Sequence, residues 1–444
     1  MLESIQKKIE SNAIFYLLSY AILIRIAMLL LYADYSIFPD SGGYIELAND
    51  LSDFNLTGYS GKRTPGYPSI IALVGNNLNW VKVIQHIFGI ISTLLLFDLV
   101  KRETQSKFTA FLAAFFATSF IHLIFFEAAI LTETTALFVL LVVVWFIRVK
   151  SCLNVRTSIL NIIAISILFA YLYLVKPMFI YAPIFFALFF LMKNFQENYK
   201  KALFKSSLVL LIPLFTFYSW SSLNEKNIGV FGSTYFLGFN LAQTATPFFE
   251  LVPEENQTIR DIFVKHRDSI ASQTSKSITM SIWAAHDELV YATHLKPPQL
   301  SKKLGDISID LFKQHPDLYL KQVSISWLDF WTESILWKPK QIKSVAIKNI
   351  LMGTWLYIQQ WIALVINIMF LYFSIKHLKR IFKFRIKSFD FNLFLVSIVL
   401  LGSVAQAMIT YGSNSRFSFP YFSLIIYFVF INLFTLKTKN AAHT

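Results

Sequence analysis

A chain of 444 residues that is 55% apolar and 17% aromatic, with only 15% charged residues, lacks the polar surface that a soluble globule of that size needs. Its mean hydropathy of +0.54 and its long uncharged runs point to a lipid bilayer as the solvent for much of it. The formal charge of +14 is explained by its distribution rather than by nucleic acid, and the single cysteine, Cys152, excludes an internal disulfide framework or a cysteine-based metal site.

The first apolar run, 13–32, has full spanning length and no small-residue cleavage pattern after it, so it reads as a retained span. Further runs at 81–100, 108–125, 132–148, 157–174, 178–192, 206–221, 349–374, 391–410 and 418–436 follow. Each has roughly the 15–25 residues that cross about 30 Å of hydrocarbon. The expected fold is an all-α polytopic membrane protein of about ten transmembrane helices.

Charge sets the orientation. With the N-terminus in the cytoplasm, the inner connections hold Lys7, Lys8, Lys101, Arg102, Lys107, Arg148, Lys150, Arg156, Lys193, Lys200, Lys201, Lys205, Lys376, Lys379, Arg380, Lys383, Arg385, Lys387, Lys437 and Lys439. The short outer connections hold only Lys62, Arg63, Lys176 and Arg416. That asymmetry places both termini in the cytoplasm and the chain in the inner (plasma) membrane. The sequence then divides into a transmembrane module, 1–221; an outer, mainly helical periplasmic domain, 222–348; and C-terminal membrane helices, 349–444. Within the outer domain a helical pattern covers 318–331, and Lys296-Pro297-Pro298 reads as a turn.

The outer segment 33–80 carries the most legible chemistry. Pro39-Asp40-Ser41-Gly42-Gly43 reads as a turn opening a helix. Tyr44, Leu47, Ala48, Leu51 and Phe54 then recur at helical spacing opposite Glu46, Asn49, Asp50 and Asp53, giving an amphipathic helix at the outer interface. Asp40 is either the N-cap of that helix or a catalytic carboxylate placed where a lipid head group meets a water-borne acceptor. Lys62 and Arg63 precede a rigid Pro65-Gly66-Tyr67-Pro68 turn, and Lys176 and Arg416 are solitary cations in short outer connections. Each is either a snorkelling anchor or a ligand for a phosphate, which arginine grips with a two-pronged fork.

Glu127 and Glu133 lie at the turn between the third and fourth runs. Glu133 begins an apolar run, where an ionised group is costly without a partner, so it is expected to hold the acceptor, a divalent cation or one of these cations. Arg25 is close enough to the outer end of its span to snorkel. His86 and His122 read as hydrogen-bonded packing residues, and the remaining histidines have no metal-like spacing.

Taken in order, these residues resemble a known family. A short span precedes Asp40, Tyr44, Ala48 and Leu51; Arg63-Thr64-Pro65-Gly66-Tyr67-Pro68 follows; then come Val83-Ile84-Gln85, Thr132-Glu133 and Lys176-Pro177. The pattern resembles the GT-C membrane glycosyltransferases, in the branch of protein mannosyltransferases and aminoarabinose lipid A transferases, over residues 10–250 and again near 416–421. The resemblance implies inverting transfer of a sugar from a polyprenyl-phosphate donor to a lipid, glycan or protein acceptor at the extracytoplasmic face. It implies Asp40 as base with Glu133 beside it, and Lys62, Arg63, Lys176 and Arg416 around the carrier phosphate. Tyr44, Tyr67, Glu127 and Asn240 would line the sugar or acceptor, with Gly229, Gly232 and Gly238 giving close backbone approach. No cofactor is implied with certainty, although a divalent cation is possible. Several relatives have Glu after the Asp, where this chain has Ser41, which weakens any role borrowed from that acid. A lipid-linked glycan transporter or flippase is the rival from another class. It would place ionisable groups near the bilayer midplane. An O-antigen polymerase or ligase would share the donor but not the early Asp with Arg-x-Pro-Gly-Tyr-Pro.

Overall fold

The computed structural model describes residues 2–32, 34–273, 277–382, 389–412 and 414–441, and every long element among them is a helix. Lys383, Arg385 and Lys387 of the inner set of cations lie outside the described residues. The helices are α1 (Leu2–Leu31), α2 (Ser41–Ser52), α3 (Gly66–Leu73), α4 (Leu78–Thr104), α5 (Lys107–Thr118), α6 (Ile121–Glu127), α7 (Glu133–Val149), α8 (Ile159–Val175) and α9 (Tyr181–Ile228). They continue with α10 (Leu237–Ala245), α11 (Gln257–Ala271), α12 (Ser281–Thr293), α13 (Pro297–Gln314), α14 (Pro316–Phe330), α15 (Val345–Thr354), α16 (Gln360–Phe382), α17 (Phe391–Ile409), α18 (Asn414–Phe417) and α19 (Phe422–Ala441).

All ten apolar runs are helical, but they are not ten straight spans. Six stretches among the described residues are long and apolar enough to cross a membrane, or seven if α5 and α6, bent by 61°, count as one. The fourth and fifth runs, α7 and α8, have 17 residues each, about 26 Å of helix and the lower limit for a span. The sixth and seventh runs share α9, whose 48 residues are interrupted at Asn198 by an extended conformation (φ −161°, ψ 92°). The Ser206 hydroxyl donates to the Ala187 carbonyl at 3.0 Å. Nineteen residues of straight helix would separate them by about 28 Å, so the chain reverses at Asn198, whose carboxamide oxygen accepts from the Lys201 amide at the start of the second arm.

The bundle core is apolar and aromatic, with Phe169, Phe179, Phe186, Phe190 and Tyr421 fully buried. A second apolar cluster, built on Phe239, Phe249, Phe263, Leu289 and Leu304, holds α10 to α13 together. Here Gly238 lies so close to α13 that a Cβ would collide with the Ser301 carbonyl, so this glycine serves helix packing rather than the approach to a sugar. Gly229 is the left-handed C-cap of α9. Pro297 and Pro298, expected in a turn, form the first turn of α13, where a missing N–H costs nothing. The end of α14 returns to the bundle: Phe330 and Trp331 join its core, and Trp327 donates to Ser403 at 3.0 Å.

The reversal at Asn198 is open to direct measurement. In a Cys152→Ala background, Ala187→Cys with Ser206→Cys is expected to form a disulfide on mild oxidation, read by mass spectrometry of the digest. Absence of that cross-link in folded protein would contradict the hairpin.

Candidate active site

The segment before α2 is fastened to the turn between α6 and α7. The Ser36 amide donates to the Ala128 carbonyl at 2.8 Å, and the Ile130 amide returns to the Ser36 carbonyl at 3.0 Å. The fully buried Ser41 hydroxyl accepts from the Phe38 amide at 2.9 Å and donates to the Ile130 carbonyl at 2.8 Å. Ser41, the departure from the family pattern, is therefore a fastening. These bonds place Asp40 beside Glu133.

Asp40 occupies the N-cap position of α2, yet its side chain caps nothing. One carboxylate oxygen, Oδ1, accepts from Arg63 Nη2 at 2.8 Å; the other, Oδ2, accepts from Arg416 Nη1 at 2.8 Å. Arg416 also donates through Nε to Glu133 Oε1 at 2.7 Å, and Lys176 Nζ reaches the same oxygen at 3.0 Å. Four distant parts of the sequence thus meet in one network. The Arg63 guanidinium is flanked by the Tyr44 ring at 4.6 Å and the Phe236 ring at 5.1 Å, and Lys176 Nζ lies 4.8 Å from the Phe417 ring. Gly43 lets Arg63 lie against α2, since a Cβ there would come within 3.1 Å of Nε.

The glycine of the Arg-x-Pro-Gly-Tyr-Pro stretch has its own reason. A Cβ on Gly66 would stand 2.5 Å from the Leu174 and Val175 backbone. Only glycine lets α3 press against the end of α8, immediately before Lys176.

Three cations face two carboxylates, leaving one positive charge in excess. The hydrogen bonds of Arg63 and Arg416 among the described residues leave through Arg63 Nη2 and through Arg416 Nε and Nη1, so Arg63 Nη1 and Arg416 Nη2 have no protein acceptor there; Arg63 Nε and Glu133 Oε2 are buried without a partner. Asp40 is 37% exposed at its side chain while Glu133 is 0% exposed, so only the first is open to an incoming molecule. Burial alone would raise the Asp40 carboxyl, but Arg416 and Arg63 outweigh it and hold it down at about 2. Burial pushes the Lys176 ammonium down, opposed by Glu133. The donor set does not suit a divalent cation: each carboxylate is shared by two cations, and among the described residues no group of three or more His, Cys, Asp or Glu could hold a metal.

Other expected residues lie elsewhere. Glu127 is buried in a separate triad, with Arg25 Nη2 on Oε1 at 2.6 Å, Arg25 Nε on Oε2 at 2.9 Å and His86 Nδ1 on Oε2 at 2.8 Å. Arg25 does not snorkel; it is 3% exposed and turned inward. The cavity beside this triad is about 20 Å³, room for about one water. Lys62 pairs with Glu46 at 2.9 Å, to one side of the network. Asn240 lies in α10, its backbone carbonyl accepting from Thr244, and has no bond to the cluster. Tyr67 is fully buried, its ring edge-on to Tyr44 with centroids 5.2 Å apart. Phe54, counted on the apolar face of α2, lies beyond its end and is 97% exposed.

Sequence reasoning missed Phe236, which no pattern marks, and Phe417, whose only signal is adjacency to Arg416. It also missed Glu333, a buried carboxyl raised by burial to about 7, which accepts from Ser418 at 3.2 Å with His122 Nε2 3.9 Å away.

No protein-family model matches the chain, and no curated protein matches it in sequence. Among solved structures it is similar to ArnT from Cupriavidus metallidurans, crystallised bound to undecaprenyl phosphate, with 11% identity over 95% of this chain and 78% of that one and a TM-score of 0.36. At that level the likeness assigns no activity.

The Arg25–Glu127 pair predicts a structural phenotype. Removing one partner of a buried ion pair costs about 3–5 kcal/mol, whereas replacing both with apolar residues is often neutral. Glu127→Ala should therefore lower the unfolding midpoint in detergent, and Arg25→Met with Glu127→Leu should recover most of the loss. A double variant less stable than either single one would contradict the assignment.

Proposed function

We propose that the chain is a GT-C type membrane glycosyltransferase that moves a sugar from a polyprenyl-phosphate donor to an acceptor hydroxyl at the extracytoplasmic face, with inversion. One observation carries this reading: a partly exposed carboxylate, Asp40, is gripped by two arginines, one of them shared with Glu133, in a cluster that has one positive charge to spare. A carboxylate that accepts a proton and cations that take a departing phosphate are the two groups such a transfer needs. The order of Asp40, Arg-x-Pro-Gly-Tyr-Pro, Glu133 and Lys176 supports the same class.

In the proposed step the acceptor hydroxyl gives its proton to Asp40 as its oxygen bonds to the anomeric carbon. The bond from that carbon to the phosphate oxygen breaks on the opposite face, and polyprenyl phosphate leaves with the electron pair. The donor's phosphodiester carries one negative charge, which matches the excess positive charge, and the second charge develops as the bond breaks. Arg63 Nη1, Arg416 Nη2 and Lys176 Nζ are the donors we assign to it. Glu133 holds Arg416 and Lys176 in place rather than touching substrate. We retain the three-part division at 221 and 348, ten crossings with the α9 hairpin as two of them, and cytoplasmic termini as parts of this proposal; they place the cluster at the outer leaflet. The buried Arg25–Glu127–His86 triad does not favour a transporter, because both Glu127 oxygens are taken and the adjoining space is about 20 Å³.

Asp40→Asn should lower transfer from a labelled polyprenyl-phosphate sugar by at least about a hundredfold, the lower end of what a positioned base supplies, in protein whose cooperative unfolding transition shows that it is folded. Arg63→Ala should weaken donor use. Full activity in folded Asp40→Asn protein would remove the base from the scheme.

Asp40 titrates at about 2, so kcat/KM, which reports the free enzyme, should show no loss from this group until the pH falls through that value. In Arg416→Met the carboxyl loses its largest cationic stabiliser while its burial remains. The acid limb should then move up from that value, while Arg63 continues to hold the carboxyl down. An unmoved limb in that variant would dissociate Asp40 from the rate.

A further inference from the structure

The reactive groups sit on two bodies. Arg63 belongs to the segment leading into α3, whereas Glu133, and through it Arg416 and Lys176, depends on the turn between α6 and α7. A phosphate held from both sides requires a fixed distance between these bodies; besides the charged path through Asp40 and Arg416, a neutral side chain buried behind the cluster bonds to both.

That side chain is Gln85 of α4, which is 0% exposed. Its amide nitrogen donates to the Glu127 carbonyl at 2.9 Å and to the Ala129 carbonyl at 2.9 Å, so both of its N–H groups lie on the turn that precedes Glu133. Its amide oxygen accepts from the Tyr67 hydroxyl at 3.0 Å. The Tyr67 ring stands at 87° to Tyr44, and Tyr44 lies under the Arg63 guanidinium. An amide is the group required: two donors meet two carbonyls while an acceptor meets a phenol. A carboxylate would repel the carbonyls, and an apolar side chain would take the buried donor from the Glu127 carbonyl and the amide acceptor from the Tyr67 hydroxyl, while the Ala129 carbonyl would keep its bond from the Leu131 amide. The Ser36 and Ser41 bonds fasten the same turn to Asp40.

We infer that Gln85 is the positioning residue that sets the spacing between the Arg63 side and the Glu133 side of the phosphate site, acting through Tyr67 and the 127–131 turn. This rests on the donor reading above. Gln85 touches no reacting atom; it decides whether Arg63 and Lys176 can hold the same phosphate. The sequence marks Gln85 only as part of the Val83-Ile84-Gln85 stretch and gives it no role, because its partners at 67, 127 and 129 meet it only in the fold.

The test uses full-length protein in detergent and a synthetic polyprenyl phosphate as probe. Tyr67→Phe is the primary variant, because it removes one hydroxyl and keeps the ring on Tyr44; Gln85→Leu is the second. In the wild-type background, Arg63→Ala and Lys176→Ala should be coupled in their effect on probe affinity, by about fivefold or more. In the Tyr67→Phe background the two effects should become independent within about twofold, and kcat should fall about tenfold with the unfolding midpoint retained. Adding Tyr67→Phe to Gln85→Leu should cost nothing further.

Coupling and kcat unchanged in Tyr67→Phe, with Gln85→Leu altering only the folded fraction, would reduce Gln85 to a structural residue while leaving the donor reading intact. If wild-type protein shows no affinity for the probe, or an affinity indifferent to Arg63→Ala, the donor reading fails and this inference falls with it.

Discussion

The site depends on one guanidinium between two carboxylates. Arg416 donates through Nη1 to Asp40 and through Nε to Glu133, residues separated from it in sequence by 376 and 283 positions. Taking an ion out of water costs several kcal/mol unless geometry and hydrogen bonding repay it. Glu133, with no exposed side-chain surface, is tolerable only because Arg416 and Lys176 both reach it. The planar fork of arginine spans two acceptors at fixed angles, which a lysine ammonium cannot do. Through this contact the C-terminal α18 is tied to α7 and to the turn before α2, so the ends of the chain cannot separate without exposing uncompensated charge.

The same contact sets the electrostatic state of Asp40. Two arginines outweigh its burial and hold it ionised near pH 2 and above. That guarantees the form able to accept a proton, but it also weakens it as a base, because Brønsted behaviour favours a pKa near the working pH. An anion resting on the free arms of the same guanidiniums opposes the lowering, since like charge nearby raises a carboxyl pKa. Under the proposed function, phosphate binding and base strength at Asp40 are linked by electrostatics, and a donor that carries its own phosphate would bring that compensation with it.

How much of this was legible in the sequence follows from what each residue interacts with. Hydrophobic runs marked the helices because burial in lipid is a one-dimensional property, solitary cations in short connections marked Lys176 and Arg416, and the following Pro-Gly-Tyr-Pro turn marked Arg63 together with Lys62. The reversal at Asn198 was implied by two runs separated by a polar stretch. Asp40 remained ambiguous between cap and reactant, since both need an acid at a helix start; only the partners of its oxygens, two arginines, show that it caps nothing. Arg25 and Glu127 were misplaced because each looked like a boundary charge, and nothing local reveals that residues 102 positions apart form a bidentate pair. Phe236 was illegible for the same reason, and Gln85 was visible only as a pattern residue without a role, as the significance of both lies in contacts that only the tertiary structure makes.

Phe236 shows how the segment after α9 enters the site. The Asn227 side-chain Nδ2 donates to the Leu56 carbonyl at 2.9 Å, and the Tyr235 backbone amide donates to the Gly61 carbonyl at 3.2 Å, fastening this segment along the loop before Arg63. Trp220 and Asn224 of α9 bond to the carbonyls of Gly232 and Ser233 and hold its other edge. The outcome is an aromatic face on each side of the Arg63 guanidinium, Tyr44 from α2 and Phe236 ahead of α10. A cation held between two rings, with one arm on Asp40 and its Nε against Gly43, has little freedom left in its plane. Its remaining arm, Nη1, therefore has its direction fixed before any ligand arrives, and ordering a long flexible side chain is a cost the folded protein has already met.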